Sequence, residues 1–124
     1  KVLILDEPTA GLDPLGCSSI MENIRQYRIK NNATVILVTH SMEQIASEVD
    51  RLVVLSEGRI ILQGKPEEVF SHTEELARLR LAVPEVTEIF AELGRMGVNV
   101  PSGVFTLEQA VSAIDAASGR GDHA

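Results

Sequence analysis

The sequence has few aromatic residues, a single cysteine and no long hydrophobic run. Aromatic residues make up 3% of the 124 residues and tryptophan is absent, so the core must be built from aliphatic side chains. The one cysteine, Cys17, cannot form a disulfide within the chain, which favours a reducing compartment. The apolar stretches are far shorter than the roughly 20 residues that span a bilayer. We therefore expect a soluble, cytoplasmic chain that would reach a membrane only through a partner.

Basic residues are also scarce. The chain has 11 Lys and Arg against 18 Asp and Glu, and its net charge is -7 at pH 7. An acidic chain without a basic cluster argues against direct binding of nucleic acid. The hydrophobic fraction of 44% is sufficient for a core, and the length fits one ordinary domain.

The first part of the chain alternates between strand and helix patterns. Val2–Leu5 and Thr34–Val38 are continuous aliphatic runs, which are typical of strands buried on both faces of a parallel sheet. Between them, Asp13 followed by Pro14 predicts an N-cap and the first helical position of a helix that continues to about Lys30. The order strand, helix, strand indicates an α/β fold with a parallel sheet.

The pattern then changes to a hairpin and several helices. Ser41 and Gln44 predict a capping box that opens a helix to about Val49. Arg51–Ser56 and Arg59–Gln63 flank a Glu-Gly turn and predict an antiparallel hairpin. We divide the chain into a first region at 1–71, a helical extension at 72–117 and a disordered tail at 118–124. Four further helices are predicted. One is a short helix that begins at Pro66, two cover 74–81 and 85–95, and the last runs from the Thr106–Gln109 capping box to about Ala117.

Two apolar stripes in the predicted extension have helical spacing. Leu76 and Leu79 form one, and Leu107, Val111 and Ile114 form the other. We expect both stripes to be buried, with the extension covering the sheet or a dimer surface. A dedicated regulatory or dimerising role is an equal alternative.

Two adjacent carboxylates, Asp6 and Glu7, follow the first strand directly. A parallel strand brings its last residues to the carboxyl edge of the sheet, where ligands bind in α/β folds. Side chains alternate along a strand, so the two carboxylates should point differently and do different work. In a phosphate site, one holds Mg²⁺ through water and the other orients or deprotonates the attacking water. A bare acidic pair that caps a helix or meets solvent is the alternative.

The context of this pair narrows the choice. Asp6 and Glu7 lie in the run LILDEPTAGLD. His40 lies at the end of the second strand, in the run VILVTHS. LILDE resembles the Walker B strand with its catalytic glutamate, AGLD the D-loop, and VTHS the switch-histidine loop of ATP-binding cassette (ABC) ATPases. This resemblance covers residues 1 to about 70. It implies the C-terminal half of a P-loop NTPase fold that acts on ATP with Mg²⁺.

The resemblance also implies a role for each residue. Asp6 is the Mg²⁺-side carboxylate, acting through water, and Glu7 is the general base. His40 contacts the γ-phosphate and helps to place the attacking water. Asp13 lies beside the nucleotide at the seam of two ABC domains. Asp6 and Asp13 are thus the predicted nucleotide-binding residues, and Glu7 and His40 the predicted catalytic ones.

Three family motifs are not in the sequence. It contains no GxxxxGK-S/T phosphate loop, no LSGGQ-type signature and no glutamine loop. In ABC ATPases these motifs precede the Walker B strand, so we expect the chain to be the C-terminal part of a longer protein. We expect the chain alone to lack useful ATP binding and hydrolysis.

The second half makes the resemblance more specific. RLVVLSEGRIILQGKPEEVF is similar to the end of importer-type ATPase domains, and the following segment is similar to the C-terminal segment of energy-coupling factor (ECF) transporter ATPases. This implies a second ABC ATPase subunit, a transmembrane coupling protein and a substrate-capture subunit as partners, at the cytoplasmic face of the membrane. The implied cargo is a vitamin or a transition-metal ion. Positions matching the recurrent L-x-x-P-x-V-T-x-L-x-x-x-L pattern are Leu81, Pro84, Val86, Thr87 and Leu93, with Ile89 and Phe90 in apolar slots.

Two other functions remain open from the sequence. One is a soluble ABC ATPase that acts in DNA repair or translation, although the hairpin followed by GKPEEVF argues against it. The other is a truncated, non-enzymatic dimerisation or regulatory module built on residues 72–117. The exposed sheet edge of such a truncated chain, where the missing strands belong, argues against this alternative because such edges aggregate.

Overall fold

The structure is a computed structural model that describes residues 1–119, apart from the side chains of Gln44 and Ile45. The part of the predicted tail beyond Gly119 lies outside the described residues, and Ser118 belongs to the last helix. No helix within residues 1–119 is both long and apolar enough to cross a membrane. The elements are β1 (Val2–Asp6), α1 (Pro14–Asn31), β2 (Thr34–Val38), α2 (Met42–Ile45), β3 (Leu52–Ser56), β4 (Arg59–Gly64), α3 (Pro66–Phe70), α4 (Thr73–Arg78), α5 (Glu85–Arg95) and α6 (Leu107–Ser118).

The chain divides into two compact units, the first ending at His40 and the second beginning at Ser41. In the first unit, β1 and β2 pair in parallel, with Val2 opposite Thr34 and Asp6 opposite Val38. The parallel sheet predicted from the aliphatic runs is thereby confirmed. Its register brings the carboxyl ends of both strands to the same level.

The two faces of this small sheet differ in burial. Alternate residues of both strands are half-buried on one face, and α1 contacts β2. The expectation that both faces are buried is wrong for the described residues, because a single helix layer can cover only one face of two strands. The other face exposes Val2 and Ile4 by 65% each, Ile36 by 46% and Val38 by 50%.

Local signals fix both ends of α1. The Asp13 side chain accepts a hydrogen bond of 2.7 Å from the Gly16 amide, and Pro14 occupies the first turn. Asn32 adopts a left-handed conformation, and its amide donates to the carbonyls of Arg28 and Ile29, which ends the helix. The predicted N-cap is therefore confirmed, and the helix extends one residue beyond Lys30.

The second unit begins with α2 and the hairpin. The predicted helix to Val49 is too long, since α2 ends at Ile45, and the Ser41 side chain makes no capping hydrogen bond to it. At ψ 84° the Ser41 backbone lies outside the extended conformation that a capping hydroxyl needs. The antiparallel pairing of β3 and β4 is confirmed. Glu57 and Gly58 have φ of 50° and 73°, as a two-residue hairpin turn requires.

The helices of the second unit enclose an aliphatic and aromatic core. A buried cluster contains Phe90 of α5, Ala110 of α6 and Val104, which precedes α6. Leu76 is fully buried, as its stripe predicts. The α4 helix is shorter than the predicted 74–81, because the chain turns at Arg80 with φ 57°.

The stripe predicted for α6 is exposed within the chain, and its burial at a dimer surface stays a prediction. The Thr106–Gln109 capping box forms as expected and begins the helix. The helix then turns the small side chain of Ala110 toward the core, because a small residue allows close packing against Phe90. Leu107, Val111 and Ile114 are exposed by 67%, 50% and 56%, and Ile89, placed in an apolar slot by the sequence, is exposed by 50%.

Candidate active site

Glu7 lies at the turn that ends β1. Its amide donates a hydrogen bond of 2.7 Å to the carbonyl of Val38, the last residue of β2. Its φ is 47°, in the left-handed region, which is uncommon for a residue other than glycine. Such conformations concentrate at functional sites, where the surrounding structure holds them in place. The turn directs the Glu7 side chain to the residues that follow β2.

Three donors from the segment after β2 hold the Glu7 carboxylate. Nδ1 of His40 lies 2.6 Å from Oε1, and the His40 amide donates to the same oxygen at 3.1 Å. The Thr39 hydroxyl donates to Oε2 at 3.0 Å. The Glu7 side chain is 33% exposed and the His40 side chain 84% exposed, so the pair is open on the histidine side. The structure therefore brings together the two predicted catalytic residues.

These contacts affect the charge state of Glu7. The hydrogen bond from the His40 ring holds the pKa of the Glu7 carboxyl below its ordinary value; partial burial raises that pKa, and the Thr39 hydroxyl and His40 amide lower it. Glu7 is thus an ionised acceptor at neutral pH. An ionised carboxylate cannot donate, so Nδ1 of His40 must carry the hydrogen. Nε2 of the exposed ring is then the nitrogen that can face a ligand.

Asp6 is the last residue of β1 and lies opposite Val38 in the sheet, with its side chain exposed. Within residues 1–119 no cluster of three or more His, Cys, Asp or Glu side chains forms a metal cage. A single exposed carboxylate at this sheet edge fits Mg²⁺, which proteins commonly bind through one or two carboxylates together with water and substrate phosphates. The Asp6 carboxylate suits such a role. The phosphate groups themselves would need donors that this sequence lacks, since it has no glycine-rich loop with a lysine.

Asp13 lies at the far end of the loop that follows Glu7. It serves as the N-cap of α1, and a Cβ at Gly16 would lie only 2.9 Å from its Oδ1. The loop between the two acidic residues consists of tight turns, with hydrogen bonds from Ala10 to Glu7 and from Leu12 to Thr9. The structure gives Asp13 a structural role, and its place at a domain seam stays a prediction.

Thr39 is a site residue that the sequence analysis did not single out. It lies in the VTHS run beside His40, and its hydroxyl contacts Glu7. The sequence does carry a signal for it. Thr39 is a polar residue at the end of a parallel strand, and the ends of neighbouring parallel strands lie at the same edge of the sheet. What the sequence could not give was the direction of its side chain.

Comparison with known proteins adds independent evidence. No protein-family model matches the chain. The energy-coupling factor transporter ATP-binding protein EcfA2 from Clostridium perfringens is 47% identical over 114 residues, which cover 92% of this chain and 40% of that protein. EcfA1 from Caldanaerobacter subterraneus is 40% identical over 114 residues, covering 92% of this chain and 41% of that protein. The chain thus spans about two fifths of the length of these curated relatives.

A solved structure is similar as well. CbiO1 from Clostridium perfringens, part of the ABC transporter complex CbiONQ, matches with a TM-score of 0.55 and 40% identity, over 78% of this chain and 35% of that chain. This confirms the predicted C-terminal part of an ABC ATPase fold. The chain therefore has the fold of the C-terminal part of an ABC ATPase, and over 92% of its length it is similar to the ATP-binding proteins of energy-coupling factor transporters.

Proposed function

We propose that the whole protein containing these residues hydrolyses ATP, with Glu7 as general base and His40 as the contact to the γ-phosphate. The observation that carries this proposal is the 2.6 Å contact between Nδ1 of His40 and Oε1 of Glu7 at the ends of adjacent parallel strands. That edge is where α/β folds bind ligands. The names of the relatives, which are ATP-binding proteins, support the same substrate.

The chemistry that these residues offer is positioning and electrostatics. Phosphoryl transfer depends on orientation of the attacking water and on neutralisation of charge far more than on covalent catalysis. Glu7 is an ionised acceptor that can take a proton from water. With a hydrogen on Nε2 as well as on Nδ1, the His40 ring can donate from Nε2 to a phosphate oxygen, which only accepts. Asp6 would hold Mg²⁺ through water, and the ion, when bound, neutralises charge on the phosphates.

The wider assignment is import across the cytoplasmic membrane. Under this proposal two ABC ATPase domains close on ATP with Asp13 at their seam. A transmembrane coupling protein and a substrate-capture subunit complete the transporter, and a vitamin or a transition-metal ion is the cargo. The whole protein would be peripheral at the cytoplasmic face. The relatives are transporter proteins by name, which supports transport over a role in DNA repair or translation.

The 124-residue chain by itself should not hydrolyse ATP. It lacks a phosphate loop, whose backbone amides and lysine supply the donors that phosphates need. Glu7 and His40 would then have no substrate to act on. Equilibrium binding of ATP to the chain, compared with the whole protein, tests this part of the proposal.

The deciding experiment replaces the base without removing its shape. Glu7→Gln in the whole protein should keep ATP binding and trap the closed pair of domains, while hydrolysis falls by about 10²–10⁴-fold, since an amide cannot accept the proton. Glu88→Gln on α5 is the matched control and should leave hydrolysis unchanged. Hydrolysis at the wild-type rate in Glu7→Gln would remove Glu7 from the role of base.

A further inference from the structure

The two oxygens of the Glu7 carboxylate are held differently. Oε1 receives two hydrogen bonds, from the His40 amide at 3.1 Å and from the His40 ring at 2.6 Å. Among the described residues, Oε2 receives one, from the Thr39 hydroxyl at 3.0 Å. Each carboxylate oxygen can accept about two hydrogen bonds. The capacity of Oε1 is therefore used within the protein, and Oε2 keeps room for one more donor.

Thr39 also fixes where that room lies. Its hydroxyl contacts Oε2 while His40 makes two contacts with Oε1, so hydrogen bonds to both oxygens restrain the rotation of the carboxylate about its last bond. The Glu7 backbone is tied to the same segment through the hydrogen bond from its amide to Val38. The remaining acceptor site of Glu7 thus has one defined direction, as an oriented base requires.

We propose that Thr39 is a positioning residue for the base, which it orients so that Oε2, and not Oε1, takes the proton from the attacking water. This inference rests on the proposed ATPase function. In the step, the O–H bond of water breaks and its proton goes to Oε2. The water oxygen forms a bond to the γ-phosphorus, and the bond from that phosphorus to the bridging oxygen breaks as ADP leaves. Thr39 gives up no proton.

A packing role for Thr39 would also explain its place in the structure, and substitutions separate the two. Thr39→Val keeps the branched shape and removes the hydroxyl. Thr39→Ser keeps the hydroxyl and removes the methyl group. A positioning role predicts that the valine variant is impaired and the serine variant is not. A packing role predicts the reverse order.

The experiment measures kcat and KM for ATP in the whole protein. Thr39→Val should lower kcat by about ten-fold with KM changed by less than about two-fold, because orientation of the base acts in the transition state. Thr39→Ser should restore kcat to within about two-fold of wild type. Thr34→Val, the same substitution at the other end of β2, is the matched control and should change neither value. If the valine variant does not fold, Thr39→Ser against Thr39→Ala gives the same comparison, since that pair also differs by one hydroxyl.

Two results would overturn the proposal. One is a kcat of Thr39→Val equal to that of wild type while Glu7→Gln is inactive, which would leave Glu7 as base without help from Thr39. The other is a serine variant as impaired as the valine or alanine variant. If Glu7→Gln itself hydrolyses ATP at the wild-type rate, the proposed function fails first, so the two failures can be told apart.

Discussion

Nδ1 of His40 lies 2.6 Å from Oε1 of Glu7, although the two residues are 33 positions apart in the chain. The contact joins the ends of β1 and β2, which pair in parallel. Glu7 and His40 thus form one hydrogen-bonded unit. Any ligand that needs the Glu7 carboxylate must share it with His40.

The two ring nitrogens of His40 can be tested separately. His40→Ala should lower hydrolysis by the whole protein by about 10²-fold, because it removes both the contact to Glu7 and the contact proposed for the phosphate. In His40→Asn the amide nitrogen can replace Nδ1, but nothing replaces Nε2. We expect this variant to be as impaired as the alanine variant, measured as phosphate released under saturating ATP.

The control for this prediction is His72→Ala. His72 is an exposed histidine, and its Nδ1 lies 3.8 Å from Oε2 of Glu75. That variant should be as active as wild type. Full activity of His40→Asn would mean that holding Glu7 is the whole contribution of His40.

The capping role of Asp13 and its proposed role at the domain seam can be tested separately. Asp13→Ala should destabilise the protein by about 1 kcal/mol through loss of the N-cap of α1. Asp13→Asn should lower the free energy of unfolding by only about a few tenths of a kcal/mol, because Asn caps a helix as well as Asp does. If the carboxylate acts at a seam between domains, both variants lose hydrolysis. Thermal unfolding and ATPase rate, measured on the same samples, distinguish the effects. An asparagine variant with full activity would restrict Asp13 to capping.

Gly103 is a position where a side chain cannot be accommodated. Its φ is 73°, and a Cβ there would collide with the backbone carbonyl of Glu67. Gly103→Ala should therefore lower the free energy of unfolding by about 3 kcal/mol or more, from the backbone conformation and the collision together. Gly58→Ala is the matched control, because Gly58 has the same φ of 73° with no atom within 4 Å of a Cβ. It should cost about 1 kcal/mol. Equal losses in denaturant unfolding would show that the contact with Glu67 is unimportant.

Thr87 ties α5 to the segment before α6. Its side chain is buried, and its hydroxyl donates a hydrogen bond of 2.6 Å to the carbonyl of Val104. Thr87→Val should destabilise the protein by about 1–3 kcal/mol, because it leaves that buried carbonyl without its donor. Thr87→Ser keeps the donor and should cost about 1 kcal/mol for the lost methyl group. A serine variant less stable than the valine variant in chemical unfolding would assign the role of Thr87 to packing.

The sequence by itself determined the order of the elements and most of their ends. Asp13 caps α1 and the Thr106–Gln109 pair caps α6, as predicted, because these signals act between residues within one turn. The parallel pairing of β1 and β2 followed from their apolar runs and the helix between them. The motifs LILDE and VTHS also indicated the resemblance to ABC ATPases, because the residues at the ends of β1 and β2 belong to these motifs.

Only the tertiary structure decided which side chains meet. The Ser41 cap did not form because its backbone conformation is set beyond the local sequence. The buried face of α6 is the one that carries Ala110, because packing against Phe90 favours a small residue over the larger Leu107. The contacts of Thr39 and His40 with Glu7 depend on the register of two strands and on a left-handed turn. Neither can be obtained from spacing, because a shift of one residue in register would turn these side chains to the opposite face of the sheet.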